Sequence, residues 1–369
     1  MSRVETVRKW TNLPLILTVV LLLVYGAVVV RSATSGFSAG ESMFQRHLLG
    51  IALGCVLLAI AWVIDYSKLE GWLGPLTVAN ALLILSPRIP GLGAQVSGAT
   101  AWLEVAGVRL FQPSEPAKLV TVLIMAIVIS QYKGRIERWQ DVARVMLYLA
   151  VPFGLILLQP DFGTGLVFIA ITMGMLLVGG LKGRWFLVFA LVGVLGVGLA
   201  FKAGVVAEYQ VNRLLVFIDP EIDPQGAGYN LQQSRIAIGS GGVSGQGLSQ
   251  GTQSNLNFLP ERHTDFIFAV LGEELGFVGS VMLLGLYLAL LMVALEIATS
   301  ARDLFSSLIA VGLISMWTFQ IFQNMGMTMG LMPITGIPLP FMSFGSSFMI
   351  TNLAGTGMLL SVWARRRAV

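Results

Sequence analysis

The sequence predicts an all-α, polytopic membrane protein that has about ten transmembrane helices, both termini in the cytoplasm and one large extracytoplasmic loop region. Two observations carry this prediction: 56% of the 369 residues are apolar and only 11% are charged, and the mean hydropathy is +0.81. Soluble domains carry about 25% charged residues. We expect residues 1–369 to form a single membrane domain. The pI of about 9.3 does not indicate nucleic-acid binding, because lysine and arginine in such a chain mostly record its orientation.

Ten apolar segments approach the length of about 20 residues that a helix needs to cross the hydrocarbon core. The third is short and contains Pro75, and the eighth is long enough to tilt or to extend beyond the bilayer. The segments are 13–30, 48–64, 72–86, 116–131, 143–158, 164–180, 185–206, 266–297, 304–327 and 346–363.

Most basic residues fall on the cytoplasmic side if the N-terminus is cytoplasmic and all ten segments span the membrane. The short runs KGRIER and WARRR are the clearest of these. The same orientation places residues 31–47, 87–115, 207–265 and 328–345 outside the cell. Segment 207–265 mixes apolar and polar residues, and such long connections are usually functional. We expect it to contain short amphipathic helices on the outer face.

Two similar segments, QPSEPAKLV (112–120) and QPDFGTGLV (159–167), each place an acidic residue where an apolar helix begins. Glu115 and Lys118 are three residues apart and share a helical face. They form either a simple ion pair at a helix start or a charge pair that lines a polar cavity, because ionisable residues inside a span are costly. Asp161 either caps its helix or contributes to a polar rim on the same side of the membrane.

Two stretches that are rich in glycine or proline interrupt the helical pattern. GSGGVSGQGLSQG (239–251) lacks the phosphate-loop lysine and the dinucleotide-binding spacing, so we expect a tight surface or re-entrant loop, with the alternative that its amides meet a pyrophosphate. GLMPITGIPLPFMSFGSS (330–347) contains three prolines and cannot be a continuous helix. Its apolar character predicts that it folds back into the bundle, where irregular backbone is tolerated if it lines a cavity.

LPERHTDFIFAVLGEELGFVG (259–279) places Arg262, His263 and Asp265 at the mouth of a membrane helix. Asp265 is either a plain N-cap or one of several carboxylates that converge at the outer membrane boundary and act as a general base on a hydroxyl. His263 is the rival base, since imidazole titrates near neutrality. Glu273 and Glu274 lie deeper and are expected to be buried hydrogen-bond partners.

The segments QPSEPAKL, QPDFGT, NRLLVFIDP, GYNLQQSRIAIGSGG, LPERHTDFIFAVLGEELG and PITGIPLPFMSFGSS, in this order, resemble the SEDS family (shape, elongation, division and sporulation) over essentially the whole chain. The segment NMGMTMGLMPITGIPLPF resembles the elongation members more than the division members. One departure is visible, because the family usually has SYGGSS where this chain has SFGSS. Phe344 lacks the phenol, and Ser346 replaces a glycine.

The resemblance implies a peptidoglycan glycosyltransferase of the bacterial cytoplasmic membrane that polymerises lipid II on the outer face. It also implies a class B penicillin-binding protein, membrane lipids and the elongation machinery as partners. The family's essential aspartate corresponds to Asp265, and its conserved glutamate and lysine correspond to Glu115 and Lys118. The residues expected to bind substrate are Arg213, Arg235, Arg262, Asp161, His263 and Ser343.

The expected reaction is a single displacement with inversion. Asp265 deprotonates the 4-hydroxyl of the acceptor sugar, and cationic side chains stabilise the departing pyrophosphate. The chain has only two histidines, which excludes a histidine-rich metal site, while a divalent cation such as Mg²⁺ or Mn²⁺ is the one cofactor considered. The alternatives are a flippase for lipid-linked precursor, a noncatalytic scaffold for another synthase and a division-type polymerase.

Overall fold

The computed structural model describes residues 11–89, 91–96, 99–105, 108–202, 208–256 and 258–366. Helices dominate these residues, and we number them α1 to α13 along the chain. They are α1 Leu13–Thr34, α2 Gly40–Val63, α3 Leu73–Leu85, α4 Ser114–Ser130, α5 Trp139–Leu157, α6 Phe162–Val178, α7 Arg184–Lys202, α8 Glu208–Ile218, α9 Ala227–Ser240, α10 Thr252–Asn255, α11 Ile267–Thr299, α12 Leu304–Met329 and α13 Ser346–Ala364.

All ten segments predicted to span the membrane coincide with helices, and residues 203–206 of the seventh lie outside the described residues. Within the described residues, seven stretches are long and apolar enough to cross a bilayer, namely Leu13–Thr34, Gly40–Val63, Tyr66–Arg88, Trp139–Leu157, Ile267–Thr299, Leu304–Met329 and Ser346–Ala364. Helix α6 and the stretch Arg184–Gly196 of α7 are apolar but shorter, and α4 is 17 residues long with Glu115 in its first turn. The all-α polytopic membrane architecture is therefore confirmed.

Short polar signals set the helix boundaries. The side chain of Asn12 accepts a hydrogen bond from the Leu15 amide at the start of α1, and Asp303 caps α12 through the Ser306 amide. Helix α12 ends at Gly330, which adopts the left-handed conformation with φ of 76° that glycine tolerates best. Helix α12 packs against α4, α6, α11 and α13 and so lies at the centre of the bundle.

One end of the bundle carries most of the irregular structure, and we call it the loop end. Arg262 donates to the Ala33 carbonyl at the end of α1, and Ser234 of α9 donates to the Thr328 carbonyl at the end of α12. The loop end therefore holds the long segment that follows α7, which contains α8, α9, α10 and a 3-10 turn at Pro220–Ile222. The prediction of short helices in this segment is confirmed.

A small antiparallel sheet also occupies the predicted non-helical stretch 87–115. Its strands β1 Gly93–Val96, β2 Ala99–Val105 and β3 Val108–Phe111 pair in that order, with Leu103 opposite Gly93 on one side and Phe111 on the other. These strands were not among the predicted elements. They are four to seven residues long, far shorter than the apolar runs from which the helices were predicted.

Helix α11 is interrupted at Gly276, where φ is 64° and ψ is −157°. A straight helix would bond the amides of Phe277 and Val278 to the carbonyls of Glu273 and Glu274. Here those amides donate to carbonyls of residues 242 and 243 instead, at 2.9 and 3.1 Å. The freed carbonyls accept from the amides of residues 246 and 247, at 3.0 and 2.9 Å. The glycine-rich segment thus satisfies all four backbone groups that the kink releases.

Residues 330–345 fold back into the bundle, as predicted from their apolar character. Phe341, Met342 and Ser343 are fully buried. Tyr287 of α11 donates a 2.6 Å hydrogen bond to the Pro340 carbonyl, and Gln323 of α12 donates to the Pro333 carbonyl at 2.8 Å. The loop is therefore fixed to two helices and forms one wall at the loop end.

Candidate active site

Asp265 lies in a tight turn that leads into α11. The amides of Thr264 and Phe266 both donate to the Glu261 carbonyl, at 3.2 and 3.1 Å. The Asp265 carbonyl accepts a 2.8 Å hydrogen bond from the Asn324 side chain of α12. These bonds hold the turn at the point where α11 begins, so the aspartate stands on rigid elements and not on a free loop.

The Asp265 carboxylate faces Gly336 of the folded-back loop. A Cβ atom placed on Gly336 would lie 3.2 Å from Asp265 Oδ2 and 3.7 Å from Arg213 Nη1. The carboxylate and the guanidinium, from α8, therefore both border the place that a side chain at Gly336 would occupy, which we call the gap. Two of the residues predicted to act together are brought together in this gap.

Asp161 joins the same site from α6. Its carboxylate accepts a 3.0 Å hydrogen bond from the Thr164 amide, so the predicted N-cap is confirmed. The next helical turn is close to the folded-back loop, because a Cβ atom on Gly163 would lie 2.6 Å from the Thr335 carbonyl. Asp161 interacts electrostatically with both Asp265 and Glu115. The expected convergence of three carboxylates from different helix starts is therefore found.

The environment of Asp265 favours the protonated carboxyl group. Its pKa is raised from 3.8 to about 7, mainly because burial removes water from the ionised form. The negative charges of Glu261 and Asp161 raise this pKa further, and the positive charge of Arg213 lowers it. A carboxyl group with a pKa near neutrality is well matched to general-base catalysis near pH 7.

Glu115 and Lys118 form a buried ion pair in the first turns of α4. Lys118 Nζ lies 2.8 Å from both carboxylate oxygens, and each residue is at most 3% exposed. The ammonium group also lies 5.4 Å from the centre of the Phe348 ring, a cation–π distance. The predicted pair is confirmed, and the electrostatic interaction of Glu115 with Asp161 links the pair to the site.

The family model described as "Cell cycle protein" (FtsW, RodA and SpoVE) matches residues 11–368. The chain belongs to this family, the SEDS proteins. It is 39% identical over 361 residues to peptidoglycan glycosyltransferase MrdB of Escherichia coli, covering 96% of this chain and 93% of the relative. It is 36% identical over 364 residues to a probable peptidoglycan glycosyltransferase FtsW of Trichlorobacter lovleyi, with the same coverage of 96% and 93%.

A solved structure shares the fold as well. One chain of a peptidoglycan synthase complex, described as coordinating polymerization and crosslinking, superposes with a TM-score of 0.79 at 33% identity. The match covers 96% of this chain and 98% of that chain. A SEDS chain of nearly the same length is thus found in an assembly with synthase activity.

Other residues of this SEDS chain that were predicted to bind substrate lie elsewhere. Arg262 is 1% exposed; it donates to the Ala33 carbonyl at 2.8 Å, and its guanidinium lies 4.1 Å from the centre of the Phe37 ring. Arg235 is exposed on α9 and lies against Gly330. Arg213 is therefore the predicted arginine that the structure places beside Asp265.

His263 and Ser343 help to join the two walls. The His263 ring packs near Phe37 and Phe344, with centroids 5.5 and 5.4 Å apart, and burial lowers its pKa. The Ser343 hydroxyl donates to the Thr264 carbonyl at 2.7 Å and accepts from the Leu339 amide at 2.8 Å. Ser343 thus holds the folded-back loop against the turn that carries Asp265.

The two deeper glutamates are buried hydrogen-bond partners, as expected. Glu273 accepts from the amides of Gln253 and Ser254, at 2.7 and 3.1 Å, and so holds the N-terminus of α10. Glu274 accepts a 2.6 Å hydrogen bond from the Ser32 hydroxyl. The alternative that glycine-rich amides meet a pyrophosphate is wrong for residues 246 and 247, because those amides bind the carbonyls of α11.

Three residues of the site were not predicted from the sequence, namely Asn324, Gly336 and Glu261. Asn324 and Gly336 lie in apolar runs. Asn324 acts by binding backbone carbonyls and Gly336 by lacking a side chain, and neither property leaves a charge pattern in the sequence. Glu261 stood beside the predicted residues in LPERHTD, and its charge acts on Asp265. Its sequence signal was present, since like charges four residues apart in a turn interact.

A metal site made by the protein alone does not fit the part of the chain that the structure describes. Among the described residues, no group of three histidine, cysteine, aspartate or glutamate side chains is placed to hold a metal ion. Mg²⁺, however, is usually bound through one or two carboxylates together with substrate phosphates. A divalent cation here would therefore depend on oxygen atoms that the substrate brings.

Proposed function

We propose that this protein is a peptidoglycan glycosyltransferase that polymerises lipid II. The observation that carries the proposal is the gap at Gly336, where the Asp265 carboxylate, its pKa raised to about 7, and the Arg213 guanidinium lie close together. This arrangement combines a general base with a cation, and transfer of a sugar from a pyrophosphate to a hydroxyl requires both. The names of the relatives support the same reaction class.

In the proposed reaction, Asp265 takes the proton from the 4-hydroxyl of the acceptor sugar. The hydroxyl oxygen then bonds to the anomeric carbon of the donor sugar while the bond from that carbon to the pyrophosphate oxygen breaks. The pyrophosphate leaves with the bonding electrons from the opposite face, which inverts the configuration. Arg213 stabilises the negative charge that develops on the leaving group, because a preorganised cation needs no reorganisation during the reaction.

The Glu115–Lys118 pair and Asp161 complete the polar lining. Lys118 supplies a positive charge behind the gap, and Glu115 holds its ammonium group in place through the two 2.8 Å contacts. If the reaction uses Mg²⁺ or Mn²⁺, Asp161 is the carboxylate placed to share the ion with the substrate's phosphates. Chelation of divalent ions in the polymerisation assay tests this requirement.

The distribution of basic residues supports placement of both termini in the cytoplasm and of the loop end outside the bacterial cytoplasmic membrane. The gap then opens where lipid II would present its sugars and pyrophosphate, with the polyprenyl chain in the surrounding membrane lipids. A class B penicillin-binding protein is the proposed partner, supported by the match to a chain of a synthase complex that couples polymerization to crosslinking.

We further propose a role with the elongation machinery, supported by the segment NMGMTMGLMPITGIPLPF (324–341), which resembles elongation members. The FtsW relative makes a division-type polymerase the alternative. Complementation distinguishes the two roles. The chain should restore rod shape to cells depleted of their elongation polymerase and should not restore septation to cells depleted of the division polymerase.

A polymerisation assay tests the reaction itself. Purified protein, alone and with its penicillin-binding partner, is given labelled lipid II in detergent, and the products are separated by length. Wild type should form glycan strands, and Asp265→Ala should lose about 10²–10⁴-fold in rate. Glu221→Ala is the matched control, because Glu221 is an exposed carboxylate in the same long segment. Full activity of Asp265→Ala would reject the assignment, and lipid movement across liposomes without polymer would favour a flippase.

A further inference from the structure

The three residues Thr335, Gly336 and Ile337 lie at the centre of the site. The Thr335 carbonyl contacts α6 beside Gly163, in the turn that Asp161 caps. Gly336 lies against both Asp265 and Arg213. The Ile337 carbonyl accepts a 2.8 Å hydrogen bond from Asn324. This short piece of backbone therefore contacts every element that brings a charge into the gap.

Gly336 is the position at which a side chain would enter the gap. Its φ of 71° is in the left-handed region, which glycine tolerates best. A Cβ atom there would approach Asp265 Oδ2 to 3.2 Å, and the only other atom within 4 Å would be Arg213 Nη1. The space above Gly336 is thus bounded by the two polar groups that the reaction needs.

Asn324 holds the turn that carries Asp265 and the loop that carries Gly336 at a fixed separation. Its side-chain amide donates two hydrogen bonds of 2.8 Å, one to the Asp265 carbonyl and one to the Ile337 carbonyl. Asn324 is fully buried, and an amide NH₂ group has two donors, so both are used. One side chain on the central helix α12 therefore ties the wall that carries the base to the wall that carries Gly336.

We infer that the acceptor sugar hydroxyl reaches Asp265 Oδ2 over Gly336, beside the Arg213 guanidinium, and that Asn324 is the positioning residue that holds Asp265 and Gly336 at the separation this acceptor subsite needs. The inference rests on the proposed glycosyltransferase function. The hydroxyl proton passes to Asp265, the oxygen bonds to the anomeric carbon, and the pyrophosphate departs towards Arg213. A side chain at residue 336 would lie against Asp265 Oδ2 and block the approach of the hydroxyl.

Gly336→Ala tests the subsite, and Gly330→Ala is its matched control. Both glycines lie in the same loop with similar φ values, 71° and 76°, so alanine causes similar backbone strain at each. At Gly330 the atoms nearest to the added methyl group would be side-chain atoms of Arg235 and Leu231. Polymerisation of labelled lipid II by Gly336→Ala should fall at least about 10²-fold relative to Gly330→Ala, while binding of lipid II and thermal unfolding match the control.

The outcomes separate the inference from the proposed function. Equal activity of Gly336→Ala and Gly330→Ala would overturn the subsite, whether both variants are active or both have lost activity to strain. Polymerisation by wild type and by the control would at the same time uphold the function. Absence of glycan from wild type with its partner would instead refute the proposed function.

A second pair of variants tests the positioning role even if Gly336→Ala fails to fold. Asn324→Ala removes both hydrogen bonds, whereas Gln323→Ala removes the neighbouring bond to the Pro333 carbonyl of the same loop and leaves Asp265 held. Asn324→Ala should lower kcat with little change in KM and should shift the pH profile of kcat, because Asp265 is no longer fixed. Identical kinetics and pH profiles for the two variants would overturn the role of Asn324.

Discussion

Replacing Asp265 with asparagine should stabilise the protein while it removes activity. The native carboxyl has a pKa of about 7 against an ordinary value of 3.8. It therefore keeps its proton at pH values where the unfolded chain has lost it. By linkage, the contribution of this group to stability is fully present below about pH 4 and is lost as pH rises to 7. Wild type then contains an ionised carboxylate in a poorly hydrated site.

The size of the effect follows from the pKa shift. A shift from 3.8 to about 7 corresponds to about 4 kcal/mol at pH 8, where the carboxyl is ionised in both states. At pH 5 the native carboxyl is protonated and the unfolded one is ionised, so the carboxyl then destabilises the folded state by roughly 2 kcal/mol. Asp265→Asn abolishes the titration. Its advantage over wild type should therefore be larger at pH 8 than at pH 5 by about 2 kcal/mol.

Thermal unfolding in detergent at the two pH values measures this difference. The Tm gain of Asp265→Asn should be a few degrees greater at pH 8 than at pH 5. Scan rates must be equal, since unfolding of membrane proteins is often irreversible. Glu221→Gln, which changes an exposed carboxylate, should show no such dependence. A Tm difference between Asp265→Asn and wild type that is the same at both pH values would refute the claim that Asp265 is destabilised when ionised.

Two further predictions concern buried groups. Lys118→Ala leaves the Glu115 carboxylate buried without its cation, so it should lower the free energy of unfolding by about 3–5 kcal/mol and also abolish activity. The neutral double variant Glu115→Gln with Lys118→Met should recover the Tm but not polymerisation. Recovery of both would remove the pair from the site. Gly276→Ala places a methyl group against the Gly245 amide and should lower the Tm by at least the equivalent of about 3 kcal/mol. Gly285→Ala, which has open space on the same helix, should be neutral or stabilising in the same thermal scan.

The sequence predicted the helices well, because a membrane span is encoded by a long apolar run that few other structures contain. It also placed Glu115, Asp161 and Asp265 together correctly. Each of these acids begins a helix or precedes one on the same side of the membrane, and the number of spans between them determines that side. Once the helices pack, carboxylates at adjacent helix starts converge without any further signal in the sequence.

Side-chain direction could not be read in the same way. Arg262 and Arg213 have the same chemistry, yet Arg262 turns inward to the Ala33 carbonyl and Arg213 faces the gap. The direction depends on how the turn at residues 261–266 meets the end of α1, a contact between residues 229 positions apart. The glycine-rich segment was similarly ambiguous. Its amides bind the carbonyls that the kink at Gly276 releases, and no local sequence pattern predicts that kink.

Asp265 and Arg213, the two charged residues of the gap, are held in place by different parts of the fold. Asp265 is fixed by Asn324 of the central helix, and the first turns of α11 are held by the glycine-rich segment at the kink. Arg213 lies on α8, which packs against α9 and the 3-10 turn at Pro220–Ile222. The base is thus anchored to the bundle directly, whereas the cation is carried by a layer that contacts the bundle through the buried Val216 and through the hydrogen bond from Gln210 to the Pro160 carbonyl. Because catalysis requires both groups at a fixed separation, the packing of that layer is as much a determinant of activity as the bundle itself.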